Sequence, residues 1–212
     1  MIADKSALLV IDVQNQFVEG LPEEMKGLSV VESVKHVIEA FRKAGRPIIY
    51  FREVHRKNLV DFGRELDGDE DVHAVEETRA ADYFTGIEPL PEEYQIVKRR
   101  YSGFFGTDLE ILLKGLGVEH IYAVGLLTDV CVHYTCADAH QHDYHIHVVR
   151  EAAGGSSLAA HEAALAAIEY LQHGSVRKRC VNDEEKNNCD GICFDDGVKS
   201  VCGIGAILCC DG

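Results

Sequence analysis

Short apolar runs of strand length alternate with helical patterns along most of this chain, and that alternation limits the folds open to it. The first run, residues 7–13 (ALLVIDV), is too short for a helix and is typical of a buried central strand. The first helical pattern begins with the capping box of Ser29 and Glu32 and ends at Gly45. Strands and helices in alternation pair in parallel through right-handed crossovers, which predicts an α/β three-layer sandwich. The other predicted strands are residues 47–51, 95–98, 120–126 and 144–149, and the other predicted helices are residues 107–117, 129–142 and 157–173.

The bulk composition narrows the function classes. The 212 residues are 46% hydrophobic and 27% charged, which fits one such domain. The net charge of −15 argues against nucleic acid or anionic lipid as a partner, because both need clustered lysine and arginine. The chain start lacks the features of a signal peptide, and its apolar runs are too short to cross a bilayer. We therefore expect a soluble, cytoplasmic protein that acts on a small molecule.

The cysteines are unevenly distributed. Six of the eight fall at position 180 or later, so we predict a domain at residues 1–179 and a Cys-rich tail at residues 180–212. The C-x3-C spacing and the final Cys-Cys of the tail do not match a zinc site built from two spaced pairs. Three interpretations of the tail stay open: a disulfide-linked appendage, an oligomer contact through its apolar run VCGIGAIL, and a segment from an unnatural reading frame.

Three residues with reactive side chains fall at the carboxyl ends of predicted strands. Asp12 closes the first strand, Lys98 closes the third, and Cys131 follows the fourth at the start of a helix. In an open parallel sheet the ligand crevice lies beyond these strand ends. A thiol at a helix N-terminus meets the positive end of the helix dipole and free N–H groups, which lower its pKa and can also bind an oxyanion. The pattern predicts a nucleophilic cysteine with an acid and a cation beside it.

Each of these residues also has an ordinary structural interpretation. A cysteine near a helix start is more often a small buried apolar residue. An aspartate at a strand end is usually a cap or turn residue, and a lysine is usually solvated. The functional hypothesis gains weight because a thiol, an acid and a cation reach one sheet edge from three separate strands.

Three sequence motifs surround these residues and are specific in combination. They are IDVQNQF at Asp12, VKRRYSGFFGTDLEILLKGLGV at Lys98 and VGLLTDVCVHYTCADAHQHDY at Cys131. Over residues 6–175 the chain resembles the isochorismatase-like superfamily of cysteine hydrolases, which includes nicotinamidases, N-carbamoylsarcosine amidase and ureidoacrylate or biuret hydrolases. The resemblance implies a Rossmann-like α/β fold with a central, mostly parallel six-stranded sheet. It also implies that Asp12, Lys98 and Cys131 form a catalytic triad.

The resemblance extends to the backbone near the nucleophile and to the reaction. It implies a cis peptide bond between Leu126 and Leu127 and an oxyanion hole made by the N–H groups of Leu127 and Cys131. True isochorismatases lack the nucleophilic cysteine, so Cys131 favours amide hydrolysis over vinyl-ether hydrolysis. We expect Asp12 to take the thiol proton, Cys131 to form a thioester and Lys98 to stabilise the developing charge. Such a base needs a pKa well above that of an exposed aspartate.

The resemblance leaves open whether the protein binds a metal ion. Nicotinamidases hold one through an Asp-x-His pair and a later His, and the matching positions here are Glu53, His55 and His73. A carboxylate and two imidazoles can bind zinc or iron. Alternatively, His55 and Arg56 contact a polar substrate, or these groups make structural hydrogen bonds. Because the segment FREVHRKNLVDFGREL resembles the metal-free ureide and carbamoyl hydrolases more closely, we expect that no metal is required.

The substrate pocket is predicted from residues that flank the motifs. These candidates are Phe17, His55, Arg56, Phe104 and Tyr134, although the aromatic side chains fit a core role equally well. Further histidines form a group whose spacing crosses a helix-to-strand boundary. A shared metal face is therefore not expected, and surface or interface roles are predicted for His133, His140, His142, His145 and His147.

Three functions stay open on the sequence. The first is a metal-free amidohydrolase acting on a carbamoyl or ureide compound, and the second is a metal-dependent nicotinamidase. The third is a scaffold that has kept the fold without catalysis. Relatives in the superfamily assemble as dimers or tetramers, so the resemblance also implies a homo-oligomer.

Overall fold

The fold is built on one parallel sheet. The computed structural model describes residues 2–68, 70–180 and 192–193. The strand order is β3-β2-β1-β4-β5-β6, and every pair is parallel, which confirms the predicted α/β sheet of six strands. The strands are β1 (Ser6–Ile11), β2 (Ile48–Glu53), β3 (Tyr94–Lys98), β4 (His120–Leu126), β5 (His145–Gly154) and β6 (Val176–Arg177).

Helices cover both faces of the sheet. They are α1 (Asn15–Glu19), α2 (Gly27–Lys43), α3 (Leu109–Gly115), α4 (His133–Gln141) and α5 (Leu158–Leu171). Alternate residues of β1 point to opposite faces, so Leu8 and Val10 pack with the apolar side of α2. Leu9 and Ile11 pack with buried residues of α3, α4 and α5 on the other face. Two hydrophobic cores, one on each side of the sheet, produce the predicted three layers.

Two predicted helix starts differ from the structure. Helix α2 begins at Gly27, because the Lys26 carbonyl already accepts the N–H groups of Ser29 and Val30 at 2.7 and 3.2 Å. Ser29 therefore lies inside the first turn instead of capping it. Helix α3 begins at Leu109, two residues after the predicted start at Thr107. The predicted start of α5 at Ser157 is its N-cap, since Ser157 Oγ accepts the N–H of Ala160 at 3.1 Å.

The end of the chain is only partly described. The edge strand β6 has two residues, paired with Val148 and Val149, which is too short to leave a periodic pattern in the sequence. Two further strands, β7 (Arg179–Cys180) and β8 (Ile192–Cys193), pair in parallel. Most of the predicted Cys-rich tail lies outside the described residues. Within the described part, no helix combines the length and apolar character needed to span a membrane.

Candidate active site

Four strands deliver ionisable side chains to one edge of the sheet. The chain order reverses between the neighbouring strands β1 and β4, where open α/β sheets form their crevice. Asp12 directly follows β1, Glu53 ends β2, and Lys98 ends β3. Cys131 lies in a π-helical turn, Thr128–Val132, that connects β4 to α4. The three residues singled out from the sequence therefore meet, and Glu53 joins them.

Lys98 lies at the centre of this group. Its Nζ is 2.5 Å from Glu53 Oε2 and 2.7 Å from Asp12 Oδ2. The same nitrogen donates to the Arg100 carbonyl at 2.9 Å and to Cys131 Sγ at 3.4 Å. The sulfur and one oxygen of each carboxylate lie within 4.8 Å of one another. A thiol, two carboxylates and an ammonium group thus share one buried site.

The backbone around this site is specialised. Asp12 has a positive φ of 50°, which turns the chain sharply as it leaves β1. Gly125 has a φ of 121°, and a Cβ there would lie 1.9 Å from the Ile11 carbonyl oxygen, so only glycine fits where β4 approaches β1. The peptide bond between Leu126 and Leu127, just after this glycine, is cis. These features set the path from β4 into the turn that carries Cys131.

Two of these buried side chains keep their charge, and a third can change its protonation state near neutral pH. Burial raises the pKa of Asp12 to about 6, with Lys98 opposing the shift and Glu53 adding to it. Burial also acts on Glu53, but Lys98 and hydrogen bonds from His55 hold its pKa well below the usual range. The pKa of Lys98 is raised well above normal despite its burial, because both carboxylates favour the ammonium form. Lys98 and Glu53 therefore stay charged, while Asp12 can take up and release a proton near neutral pH.

The thiol of Cys131 differs from the sequence-based expectation. The helix start predicts a lowered pKa, but burial raises the pKa of Cys131 well above its usual value, and Asp12 and Glu53 add to the shift against the opposing effect of Lys98. The prediction was wrong in direction, because it included neither the burial of the sulfur nor the two carboxylates beside it. The resting group is a neutral thiol next to a base. Cys131 Sγ donates to Glu53 Oε2 at 3.5 Å, while Asp12 Oδ1 has no hydrogen-bond partner among the described residues and is free to accept a proton.

A second buried cluster adjoins the first through Glu53. Glu53 Oε1 lies 3.1 Å from His55 Nε2 and 3.2 Å from His73 Nε2. Glu65 Oε2 faces the same two nitrogens at 3.6 and 3.7 Å. Phe62 stacks on the His55 ring with centroids 3.8 Å apart, which fixes the ring orientation. The three candidate metal ligands from the sequence converge, and Glu65 makes a fourth.

The donor set of this cluster fits a divalent cation. Two imidazoles and two carboxylates offer atoms that all lie within 4.8 Å of one another, a set that suits zinc or iron. Neither oxygen of Glu65 has a hydrogen-bond partner among the described residues, although both are buried. Two buried carboxylates need positive charge nearby. A proton on His73, whose pKa its partner Glu53 raises against the effect of burial, or a metal ion would supply it.

A cleft leads from the surface to the sulfur of Cys131. Its volume is about 290 Å³, part of which is open to solvent. Carboxylates of the lining come from Glu53 and Glu70, and its walls are largely aromatic and aliphatic. The lining residues are Phe17, Glu53, Glu70, His73, Tyr101, Leu126, Leu127, Val130 and Cys131.

The predicted substrate contacts have different surroundings. Phe17 lines the cleft, and Tyr134 packs on its wall through Tyr101, with ring centroids 5.7 Å apart. His55 is fully buried in the second cluster. Arg56 makes an ion pair with an aspartate of its own loop, and Phe104 stacks on a histidine at the end of α4.

Sequence reasoning missed Glu65, Glu70 and Tyr101. The first two lie between β2 and β3, where no helical or strand periodicity orders the chain. The predicted histidine group does not converge on one point. Two of its members, His145 and His147, stack with His120 near the N-terminal ends of β4 and β5, at the other end of these strands from the candidate site.

Comparison with known proteins places these features in context. The isochorismatase domain family matches residues 6–177. A relative from Arabidopsis thaliana, named a probable inactive nicotinamidase, is 34% identical and covers 74% of this chain and 85% of its own length. The pyrazinamidase of Pyrococcus horikoshii, solved in complex with zinc, is 31% identical with a TM-score of 0.70 and covers 82% of this chain and 98% of its own. N-carbamoylsarcosine amidase from Thermoplasma acidophilum is 27% identical with a TM-score of 0.68 and covers 82% and 94%.

Proposed function

This chain belongs to the isochorismatase family, and from that premise we propose that it is a cysteine hydrolase cleaving a C–N bond of a small amide, carbamoyl or ureide compound. One observation carries the proposal. Lys98 Nζ contacts Asp12 Oδ2 and Cys131 Sγ at 2.7 and 3.4 Å, so an acid, a cation and a thiol surround one reacting position. The relatives named amidases support the reaction class.

The first half-reaction releases the nitrogen. Asp12 takes the proton of the thiol as Cys131 Sγ attacks the substrate carbonyl carbon. The proton then passes from Asp12 to the substrate nitrogen, the C–N bond breaks, and ammonia or an amine leaves. The acyl group remains on the sulfur as a thioester. The neutral resting thiol makes the base necessary, because little thiolate exists before the substrate arrives.

The second half-reaction restores the enzyme. Asp12, ionised again after giving up its proton, takes one from a water molecule as that water attacks the thioester. The carboxylic acid leaves, and the sulfur recovers its proton from Asp12. Lys98 keeps its charge throughout and stabilises the anionic groups around it.

The developing oxyanion needs donors of its own. We assign that role to the backbone N–H groups of Leu127 and Cys131, both of which belong to residues that line the cleft. We assign the walls of the substrate site to Phe17 and Tyr101, with Tyr134 behind Tyr101. His55, Arg56 and Phe104 would act on the substrate indirectly, through the partners described above.

A metal-dependent amidase is the second candidate. The observation that favours it is Glu65, whose buried oxygens accept no hydrogen bond from the described residues and whose Oε2 faces His55 and His73. Glu53, His55, Glu65 and His73 would hold the ion, and a bound zinc or iron would polarise a carbonyl or a water molecule. Glu53 then has a double duty, because the same carboxylate also holds Lys98.

Ammonia release separates these candidates. The protein is assayed on a panel of ureides, carbamoyl compounds and nicotinamide, with and without a chelator. The leading proposal predicts chelator-resistant turnover that Cys131→Ala and Asp12→Asn abolish, while Cys136→Ala retains it. Chelator-sensitive turnover supports the metal-dependent amidase. If the Cys131→Ala and Asp12→Asn variants match the parent on every substrate, the protein is not a cysteine hydrolase.

A further inference from the structure

We infer that the cleft takes an uncharged amide and rejects substrates that carry a carboxylate. This inference rests on the proposed function and names the substrate class of the same site. It starts from the charges of the lining. Two carboxylates, those of Glu53 and Glu70, border the cleft beside His73, and no lysine or arginine of the described residues lines it.

The cations close to these groups are already engaged: a protonated His73 would be paired with Glu53 Oε1 at 3.2 Å, and Arg100 lies 3.9 Å from Glu65 Oε1. Lys98 has no exposed side-chain surface and is paired with both Asp12 and Glu53. Arg56 and Arg99 both contact Asp61, at 2.8 and 3.2 Å. An enclosed carboxylate on a substrate normally requires an arginine or lysine partner, because its lost hydration must be replaced. This cleft offers such a group two carboxylates instead.

A divalent cation in the adjoining cluster would not reverse this balance. Its two positive charges would be matched by Glu53 and Glu65, which face the same imidazole nitrogens. Glu70 would remain, with its side chain 44% exposed and its carboxylate at the cleft. The expected discrimination is therefore common to both candidate mechanisms.

The remaining walls suit a small apolar body. Phe17, Tyr101, Leu127 and Val130 present aromatic and aliphatic surface to the cleft. The volume of about 290 Å³ includes open solvent, so the enclosed space beside Cys131 is smaller than this figure. The geometry points to a neutral amide or ureide with a compact apolar group next to the scissile carbonyl.

A matched pair of substrates tests the inference on the full-length protein. N-carbamoylsarcosine and its methyl ester share one carbamoyl group and differ in charge, and ammonia release reports only on that group. Nicotinamide and 5-carbamoylnicotinic acid form a second pair. We expect kcat/KM for the neutral member to exceed that for the anion at least tenfold at pH 7.5. Equal or faster turnover of the anions overturns the inference and leaves the proposed hydrolysis intact.

Variants connect the discrimination to the cleft. Glu70→Gln should reduce the ratio of kcat/KM for the neutral substrate to kcat/KM for the anion at least threefold, because it removes one charge and keeps the side-chain shape. Glu39→Gln, on an exposed position of α2, is the matched control and should leave the ratio unchanged. Raising the salt concentration from 0.05 to 0.5 M should also narrow the ratio, since Glu70 is partly solvated. If none of these changes alters the kcat/KM ratio, the carboxylates that line the cleft do not cause the discrimination.

Binding distinguishes failure of the inference from failure of the proposed function. Alkylation of Cys131 by iodoacetamide is followed by peptide mass spectrometry in the presence of each substrate. If neither pair is hydrolysed but the neutral members alone protect Cys131, the inference stands and the hydrolase proposal fails. Equal protection by the anions, or protection by neither member, overturns the inference.

Discussion

Glu53 divides its two carboxylate oxygens between two buried groups. Oε2 holds Lys98 at 2.5 Å, and Oε1 faces His55 and His73 at 3.1 and 3.2 Å. An aspartate at this position would be one methylene shorter and could not reach both sides from the same backbone. The longer side chain therefore connects the thiol site to the histidine cluster.

Replacing Glu53 should expose this double role. Glu53→Gln removes one of the two countercharges of fully buried Lys98, so we expect a loss of about 3 kcal/mol in unfolding free energy, measured by urea denaturation. Glu53→Asp keeps the negative charge, but its shorter side chain cannot contact Lys98 and the two histidines at once. Turnover should therefore fall at least tenfold, with a smaller loss in unfolding free energy than for Glu53→Gln. Exposed Glu39→Gln is the control, and Glu53 variants with parental stability and turnover would contradict the assignment.

The pKa of Asp12 predicts an acid limb in the activity profile. Burial raises this pKa to about 6, and only the ionised carboxylate can take the thiol proton. As the pH falls through about 6, the base becomes protonated and kcat/KM should decline, approaching tenfold per pH unit. The measurement is kcat/KM from pH 4.5 to 8.5 on an uncharged amide. A flat profile across pH 6 would show that Asp12 is not the base.

At the residue level, the sequence predicted which side chains converge wherever strand ends mark the positions. Asp12, Lys98 and Cys131 were predicted because each follows an apolar run whose carboxyl end faces the crevice. Glu65 and Glu70 were not, since the long connection between β2 and β3 has no period that would indicate which side chains point inward. The direction of the Cys131 pKa was missed because it depends on neighbours that only the fold brings together.

At the scale of elements, β4 must approach β1 closely for the site to form. Ile11 and Gly125 are partners in register, and an added Cβ at Gly125 would collide with the Ile11 carbonyl. The strand itself was predicted at residues 120–126, and the structure places β4 at the same residues. The π-helical turn that follows was predicted only as helix, because the extra residue in the turn leaves no signature in composition.

This close approach makes Gly125 sensitive to substitution. In Gly125→Ala, the added Cβ would clash with the Ile11 carbonyl, and alanine disfavours the φ of this position. We therefore expect the free energy of unfolding to fall by about 4 kcal/mol or more, or the protein not to fold. Gly115→Ala is the control, because its Cβ would meet nothing within 4 Å at the end of α3. That variant should be neutral or gain up to about 1 kcal/mol through helix propensity. Thermal and urea unfolding provide the comparison, and a harmless Gly125→Ala would contradict the described packing.

At the scale of the whole molecule, the candidate site is built from residues that precede the Cys-rich tail. All of its candidate residues lie between Asp12 and Tyr134, and the two cores use no residue beyond Val176 among those described. We therefore propose the predicted division into a domain of residues 1–179 and a separate tail. The sequence indicated this boundary through the concentration of cysteines beyond it and through the family resemblance, which ends near it.

Deletion of residues 180–212 tests this division. The shortened protein should keep its turnover within twofold and its unfolding midpoint within about 2 °C, a shift that corresponds to at most about 1 kcal/mol in unfolding free energy. Size-exclusion chromatography of both forms would show whether the tail contributes to the predicted homo-oligomer. A tenfold loss of turnover on deletion would mean that the tail completes the site.

The central claim is that the sulfur of Cys131 becomes acylated during turnover. Rapid acid quenching during hydrolysis of an uncharged amide, followed by peptide mass spectrometry, tests it directly. We predict an acyl adduct on the peptide containing Cys131 in the parent and in Cys136→Ala, and none in Cys131→Ala. Undiminished ammonia release by Cys131→Ala, without any adduct in the parent, would contradict the mechanism.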